Sequence, residues 1–463
     1  MTEHTPQFDA ALAIARRLRE AGHQAYFAGG SVRDLLLGLA PKDIDVATSA
    51  TPNVVESLFP KTYAVGAHFG VILVCTERDG SESVTEVATF RHDGAYSDGR
   101  RPDAVHFSTS PEEDVRRRDF TINGMLLDPL AYAATGDLSS SVLDFVGGRA
   151  DLAAKTVRAI GEPHLRFTED KLRMLRAVRF AARLGYQIEP ATFTAIQALA
   201  ADIHQVSAER IRDEITKMLT EGHACYAFEL LDATGLLAEV LPEAVRLHGV
   251  RQPPEFHPEG DVWTHTMLML EKLQPGCSPT LAWGALLHDI GKPATFRAPA
   301  NGSDRIRFNG HVEVGVRIAE VVLDRLRFSN EDKAQIVALV ENHMRFGDIL
   351  QMKQSTLKRF LRLPRFDEHL ALHWLDCTSS HNRLALYDFA KQQYETAPAE
   401  ELRPQPLVTG RDLIAAGYPP SPQFKPMLEA AEDAQLEGAI HTAAEGLDLL
   451  VARFGPPPQH LQS

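Results

Sequence analysis

Residues 27–47 read FAGGSVRDLLLGLAPKDIDVA, and no other stretch narrows the fold as much. A strand pattern over 23–30 ends in the pair Gly29-Gly30. A short apolar helix follows, with Ser31 in a capping position, and runs through Leu37 to a stop at Gly38. Asp43 and Asp45 then stand one residue apart in the strand pattern DIDVAT. Side chains at i and i+2 of a strand point the same way, so the two carboxylates converge. Like charges so placed do not both stay ionised without a cation. A hard divalent ion relieves the repulsion, and Mg²⁺ favours a site completed by substrate phosphates. The glycines let backbone N–H groups approach closely, and a helix N-terminus behind them favours an anion. Arg33, inside that helix, is placed to reach a phosphate. An Asp-x-Asp alone would also suit a solvated strand end, so it is the longer string that argues for a metal–triphosphate site.

The rest of the chain supplies a frame for this stretch. Residues 8–22 follow a helical pattern and read as an amphipathic helix, not a signal peptide. Thr51-Pro52 opens another helix. YAVGAHFGVILVC and VTEVATFR alternate like paired strands, and 91–107 is polar and glycine-rich, as expected of a loop. Beyond about residue 155 helical periods dominate. The pattern predicts four domains: a head over 1–155, a helical neck over 156–247, a further helical domain over 248–395 and a tail over 396–463. A net charge of −14 excludes a surface covered in nucleic-acid-binding groups. It allows a local basic groove, because screening limits each charge to about 8–10 Å. The four cysteines, Cys75, Cys225, Cys277 and Cys377, are scattered and fit neither a zinc site nor a disulfide framework, which predicts a reducing, cytoplasmic setting. With no run of 18 apolar residues, no membrane partner is expected.

The string GGSVRDLLLG-x4-DID resembles the signature of polymerase-β-like nucleotidyltransferases, in the branch that holds bacterial tRNA CCA-adding enzymes and poly(A) polymerases. The resemblance continues in chain order. TEVATFR and DGRRPDAVHF look like that family's sheet strand and flexible loop, RRRDFTINGML like its second motif, and LDFVGGRADL like its hinge between head and neck. It implies an α/β nucleotidyltransferase head, a mixed sheet with flanking helices, followed by all-α neck, HD and tail domains. It also implies Mg²⁺ on Asp43 and Asp45, with Gly29, Gly30, Arg33 and Arg118 holding the triphosphate and Asp119 and Asn123 shaping the site. Glu86 could be a third metal carboxylate or an ordinary glutamate, and is left out of the metal set.

FTEDKLRMLRAVRFAARLGY, residues 167–186, reads as one helix with Asp170, Arg173, Arg176 and Arg179 at spacing three, on one broad face. A salt-laced exposed helix would show the same spacing. Base chemistry offers a sharper account. Cytosine and adenine both present an amino group beside an acceptor ring nitrogen, whereas uracil and guanine present a carbonyl and an N–H. A carboxylate and an arginine, Asp170 and Arg173, would accept the first two and be left unpaired by the others, at about 1–3 kcal/mol each. EDKLRMLRAVRFAA also resembles the base-selecting motif of the CCA-adding family, which implies that Arg176 and Arg179 support the nucleotide. VSAERIRDEITKML is a further neck helix, and lysine and arginine outnumber acids over 164–220, which fits an RNA backbone groove.

A second constellation lies downstream. His265 precedes the pair His288-Asp289 in LLHDIGKP, and His311, His343 and Asp376 follow. Each buried histidine could be a core residue. Imidazoles and carboxylates on neighbouring helices suit transition metals, with Mg²⁺ also possible at a carboxylate. The order H…HD…H…H…D resembles the HD phosphohydrolase superfamily. That implies a divalent ion (Ni, Mn, Co or Mg) and phosphoester hydrolysis, on 2′,3′-cyclic phosphates, 2′-nucleotides or terminal phosphates of damaged RNA 3′ ends. LVTGRDLIAAGYPPSPQFKPMLEAAEDAQLEG resembles the tail domain of HD-bearing CCA enzymes.

The expected activity is therefore CCA addition and repair at tRNA 3′ ends from CTP and ATP. A poly(A) polymerase and an enzyme adding only A or only CC share these motifs and stay open. An HD phosphohydrolase with an RNA-binding N-terminal unit, or a nucleotide-sensing regulator, would not need intact DID, RRRDFTING and EDKLR strings. Monomer and homodimer are equally compatible with the sequence.

Overall fold

The computed structural model describes residues 5–66, 70–78, 81–93, 105–299 and 305–458. It divides into two compact units, Met1–Val245 with Gln274–Gly276, and Arg246–Leu273 with Cys277–Ser463.

The first unit begins with the helix Pro6–Glu20, capped by the Thr5 hydroxyl. Strands β1 (Ala25–Ala28), β2 (Asp45–Thr48), β3 (Thr62–Gly66), β4 (Val71–Arg78) and β5 (Ser81–Thr89) follow. β6 (Arg91–Asp93) and β7 (Val105–Phe107) pair as a separate ribbon. The middle of the expected loop, 94–104, lies outside the described residues. β8 (Met125–Leu127) and β9 (Val142–Asp144) complete a seven-stranded sheet of order β3-β4-β5-β2-β1-β8-β9. The sheet is mixed, because β2 runs parallel to β5 while its other pairings are antiparallel. Alternation decides its two faces: Val46, Ile72, Val74 and Val87 are buried, whereas Asp45, Val84 and Glu86 are exposed. Phe8 of the first helix meets Phe27 edge-on at 5.3 Å in the buried layer. A fully buried phenylalanine contributes about 1.5–3 kcal/mol.

Three local expectations change. The strand begins at Asp45, so Asp43 lies just before it. Ser31 does not cap the helix Gly30–Leu36. Gly29 does, at φ 74°, and the Ser31 hydroxyl donates to the Ala28 carbonyl at 3.0 Å. Segment 167–186 is two helices, Pro163–Glu169 and Leu172–Leu184. Asp170 between them is extended, and its carboxylate accepts from the Leu172 N–H at 3.1 Å, starting the second helix as a short polar side chain does. Among the described residues past 155 the helical expectation holds except for a two-residue parallel pairing of Thr156–Val157 with Gln187–Ile188 and isolated bridges.

The second unit is helical apart from isolated bridges among the described residues. Val262–Glu271 starts at Asp261, whose carboxylate accepts from the Thr264 N–H at 2.9 Å. Pro279–Leu287 leads into the His288-Asp289 pair, and His311–Arg325 crosses it closely. A Cβ on Gly291 would sit 2.1 Å from the His311 carbonyl oxygen, so only glycine permits that approach. The tail helices Phe424–Leu436 and Ala443–Phe454 share a core of Leu413, Met427 and Leu450. Arg359 holds the first of them through Glu432 and Asp433, both at 2.5 Å. No described helix is long and apolar enough to cross a membrane.

Candidate active site

The sheet register assembles the head site. Ala28 pairs with Asp45, so the Gly29-Gly30 turn leaves β1 beside the strand-borne acid. On the other flank Val46 pairs with Val87, which sets Glu86 beside Asp45 on the same face. The Asp45 carboxyl is pushed up to about 6, first by desolvation, then by Glu86 and weakly by Asp43, against the pull of Arg118. Although the residue is exposed at the sheet surface, its carboxyl is crowded by protein and by like charge. Glu86 is raised too, chiefly by burial. This is the charge pattern a divalent cation neutralises. Glu86 belongs with the acids, and the parallel pairing of β2 with β5 is what brings it there.

Arg118 closes the opposite side. A Cβ on Gly29 would lie 3.4 Å from its Nη1, and Asp114 holds it at 2.9 Å. Gly29 is needed for its positive φ and Gly30 for the closeness of Arg33, 3.3 Å from where a Cβ would be.

Arg33 does not face the site. It is 2% exposed and donates to Asp34 at 2.6 and 2.8 Å and to Asn123 at 2.6 Å. It supports the glycine turn from beneath, because a buried guanidinium must satisfy its donors inside the protein. Two of the neck arginines are likewise committed. Arg176 pairs with Asp119 at 2.5 Å, and Arg179 pairs with Glu214 at 2.6 Å and Glu221 at 3.3 Å. With Arg33 they surround the Phe180 ring, at 5.4 Å (Arg33), 5.2 Å (Arg176) and 4.3 Å (Arg179). The charged stripe is thus largely a joint between Asp119, Asn123 and the neck. Asp119 stays ionised despite burial because Arg176 opposes desolvation. Asp170 and Arg173 face different partners: Asp170 meets Arg210 at 3.2 Å, and Arg173 meets Glu169 at 2.8 Å and the Arg117 carbonyl at 3.1 Å.

In the second unit all six expected ligands converge. His265, His288 and Asp376 form one set, and Asp289, His311 and His343 another, each with ligand atoms within 4.8 Å. His265 Nε2 lies 3.2 Å from Asp376, and His288 Nε2 lies 3.1 Å from Asp289. Both nitrogens are buried, yet neither makes a hydrogen bond. Such atoms, close to a carboxylate but misaligned with it, fit ligands of a shared ion. Burial lowers His343 to about 4 and keeps it in the neutral, ligating form. Burial also acts on His265, but Asp376 and Glu259 outweigh it and raise the ring to about 9.

Glu259 was not expected. Its Oε1 accepts from His265 Nδ1 at 2.7 Å and lies 2.9 Å from His257 Nδ1, leaving His265 Nε2 to face the cluster. A carboxylate behind a ligating imidazole fixes its tautomer and raises its basicity. Glu259→Gln should weaken Mn²⁺ affinity about 10–100-fold in a calorimetric titration, with the helical circular dichroism unchanged. HPEGD ahead of a histidine-bearing helix was the available signal.

Acids on one sheet face, a glycine turn and an arginine define a nucleotidyltransferase head, and the clustered histidines and aspartates define an HD unit. Sequence profiles agree: residues 25–158 match the poly A polymerase head domain, 185–247 the probable RNA and SrmB-binding site of polymerase A, and 261–367 the HD domain. A CCA-adding enzyme of Latilactobacillus sakei is 38% identical over 294 residues, covering 62% of this chain and 69% of that protein. One of Geobacillus thermodenitrificans is 43% identical over 231 residues, 50% of this chain and 54% of its own length. The crystal structure of Bacillus stearothermophilus CCA-adding enzyme in complex with CTP superposes with a TM-score of 0.71 at 27% identity, covering 97% of this chain and 98% of that one. The chain belongs to the CCA-adding enzyme family. Its sequence alignment spans about half the length of several of these relatives, 54% in the Geobacillus thermodenitrificans case.

Proposed function

We propose that the protein adds and repairs the 3′-terminal CCA of tRNA from CTP and ATP without a nucleic-acid template. The observation that carries this reading is the register that sets Asp45 between the Gly29-Gly30 turn and Glu86, with Arg118 opposite. Asp43 and Asp45, with Glu86, would hold Mg²⁺, which when bound lowers the pKa of the attacking RNA hydroxyl and neutralises the departing pyrophosphate. Arg118 and the glycine turn hold the triphosphate. Asp119 and Asn123 keep Arg176 and Arg33 in place behind them. Asp170 and Arg173, at the start of the neck helix, read the amino group and ring nitrogen common to cytosine and adenine. To do so they share or exchange their contacts with Arg210 and Glu169. Arg176 acts by holding that helix against the head through Asp119, and Arg179 by tying it to the neighbouring neck helix through Glu214 and Glu221. The neck match to an RNA-binding region and the CTP-bound relative support RNA and CTP as partners. Four domains, 1–155, 156–247, 248–395 and 396–463, divide these tasks, and four free cysteines suit a cytoplasmic setting.

The decisive experiment offers tRNA ending at the discriminator base with CTP, ATP, both, UTP or GTP. Ordered CCA with both nucleotides supports the reading. Long A tails move it to a poly(A) polymerase, and A-only or CC-only products to the partial enzymes. A pH arm follows from Asp45. Its raised carboxyl binds a proton in competition with metal, so the Mg²⁺ concentration for half-maximal addition should climb as pH falls through about 6, and stay flat above it.

The six-ligand cluster favours a second activity, hydrolysis of 2′,3′-cyclic phosphates, 2′-nucleotides or terminal phosphates at RNA ends, with Ni²⁺, Mn²⁺, Co²⁺ or Mg²⁺. Such chemistry would clear a damaged end before addition.

A further inference from the structure

Asp114 is the most enclosed carboxylate near the head site, 1% exposed, in a short helix, Pro111–Arg116, that Ser110 caps. Its two oxygens serve different arginines. Oδ1 accepts from Arg117 at 2.5 and 2.9 Å, and Oδ2 from Arg118 Nη2 at 2.9 Å and Nε at 3.3 Å. Clamping Arg118 through Nε and Nη2 leaves Nη1 as the nitrogen beside Gly29. An unclamped arginine would spread over many rotamers, whereas a two-point carboxylate grip removes most of them. Arg117 is held by the same carboxylate, and its carbonyl accepts from Arg173 Nη2 at 3.1 Å.

We propose that Asp114 is a positioning residue that aims Arg118 at the triphosphate of the incoming nucleotide. This rests on the reading of Arg118 as a phosphate ligand. The two are separated by a double-mutant cycle on the full chain, measuring binding of adenosine, AMP and ATP with Mg²⁺ and no RNA. Asp114→Asn should weaken ATP about tenfold or more, AMP less, and adenosine least, because the lost group acts on phosphates. In an Arg118→Ala background the same substitution should add little. Asp114→Glu, which keeps the charge, should recover part of the loss and serves in place of Asp114→Asn if the latter does not fold. Glu112→Ala, which removes an exposed pair with Arg116 on the same helix, should leave all three ligands unchanged. Equal losses for adenosine and ATP, or a full loss in the Arg118→Ala background, would overturn the positioning role. An Arg118→Ala protein that binds ATP as well as wild type would overturn the phosphate reading itself, and this inference with it.

Discussion

Asp45→Ala should reduce nucleotide addition by about three orders of magnitude or more, the scale of several kcal/mol of transition-state stabilisation lost with a catalytic metal. The same protein should unfold at a temperature equal to or above wild type. The sign follows from the raised carboxyl. A folded-state pKa of about 6 against an ordinary 3.8 means that the folded protein binds this proton more tightly than the unfolded chain does. Ionisation therefore costs stability, a cost that sets in as pH rises from about 4 and is complete above about 6. Removing the group in metal-free buffer relieves desolvation and the repulsion from Glu86 and Asp43. Loss of activity with gain or retention of stability distinguishes a metal-holding acid from a structural one, which would lose both. Phosphoester hydrolysis, where present, should be unchanged, because its ligands lie in the other unit. Wild-type addition rates in Asp45→Ala would sink the head assignment.

Asp45 was legible because its place in the strand pattern DIDVAT is a local property, whereas the strand period did not extend to Asp43, which lies before the strand and meets Asp45 only as a neighbouring charge. The glycine pair was legible for the same reason, since a positive φ at Gly29 is a demand on one residue. What the local pattern could not carry was partnership across the fold. Arg33 and Arg179 carry the same charge as Arg118, yet Asp34, Asn123, Glu214 and Glu221 consume them. Only tertiary packing decides which guanidinium is buried among acids and which keeps a nitrogen beside the site. Glu86 became a member of the acid set only through the pairing of β2 with β5, strands about forty residues apart in the chain. Likewise the helix break at Asp170 looked like one continuous period, because side-chain capping competes with helix propagation at a single residue. The HD ligands behaved differently. Their order along the chain pointed to residues that the fold brings together, His288 and Asp289 at the end of one helix and the others on neighbouring elements, with Gly291 letting the His311 segment approach closely.

Asp289→Asn should empty the HD cluster of transition metal while leaving the head active. Asp289 is buried at the junction of the two ligand sets: Oδ2 is 3.1 Å from His288 Nε2, and Oδ1 is 3.7 Å from both His311 and His343. Lys292 is 2.6 Å away, and the imidazoles and this ammonium hold the carboxyl well below its ordinary range. An isosteric amide keeps the volume but supplies no charge to offset a divalent ion. Bound Mn²⁺ or Ni²⁺, measured by elemental analysis after gel filtration, should drop to background. Phosphatase and cyclic phosphodiesterase activity should fall with it. Removing one partner of a buried ion pair can cost about 3–5 kcal/mol, so a lower unfolding temperature is expected here, opposite in sign to Asp45→Ala. Lys292→Met in the Asp289→Asn background separates the two effects. Without the stranded ammonium, stability should return, whereas metal binding should not. If Asp289→Asn retains stoichiometric metal, Asp289 is not a ligand of the bound ion; if wild type itself binds none, the cluster is a packed histidine core and the hydrolytic activity proposed for it falls as well.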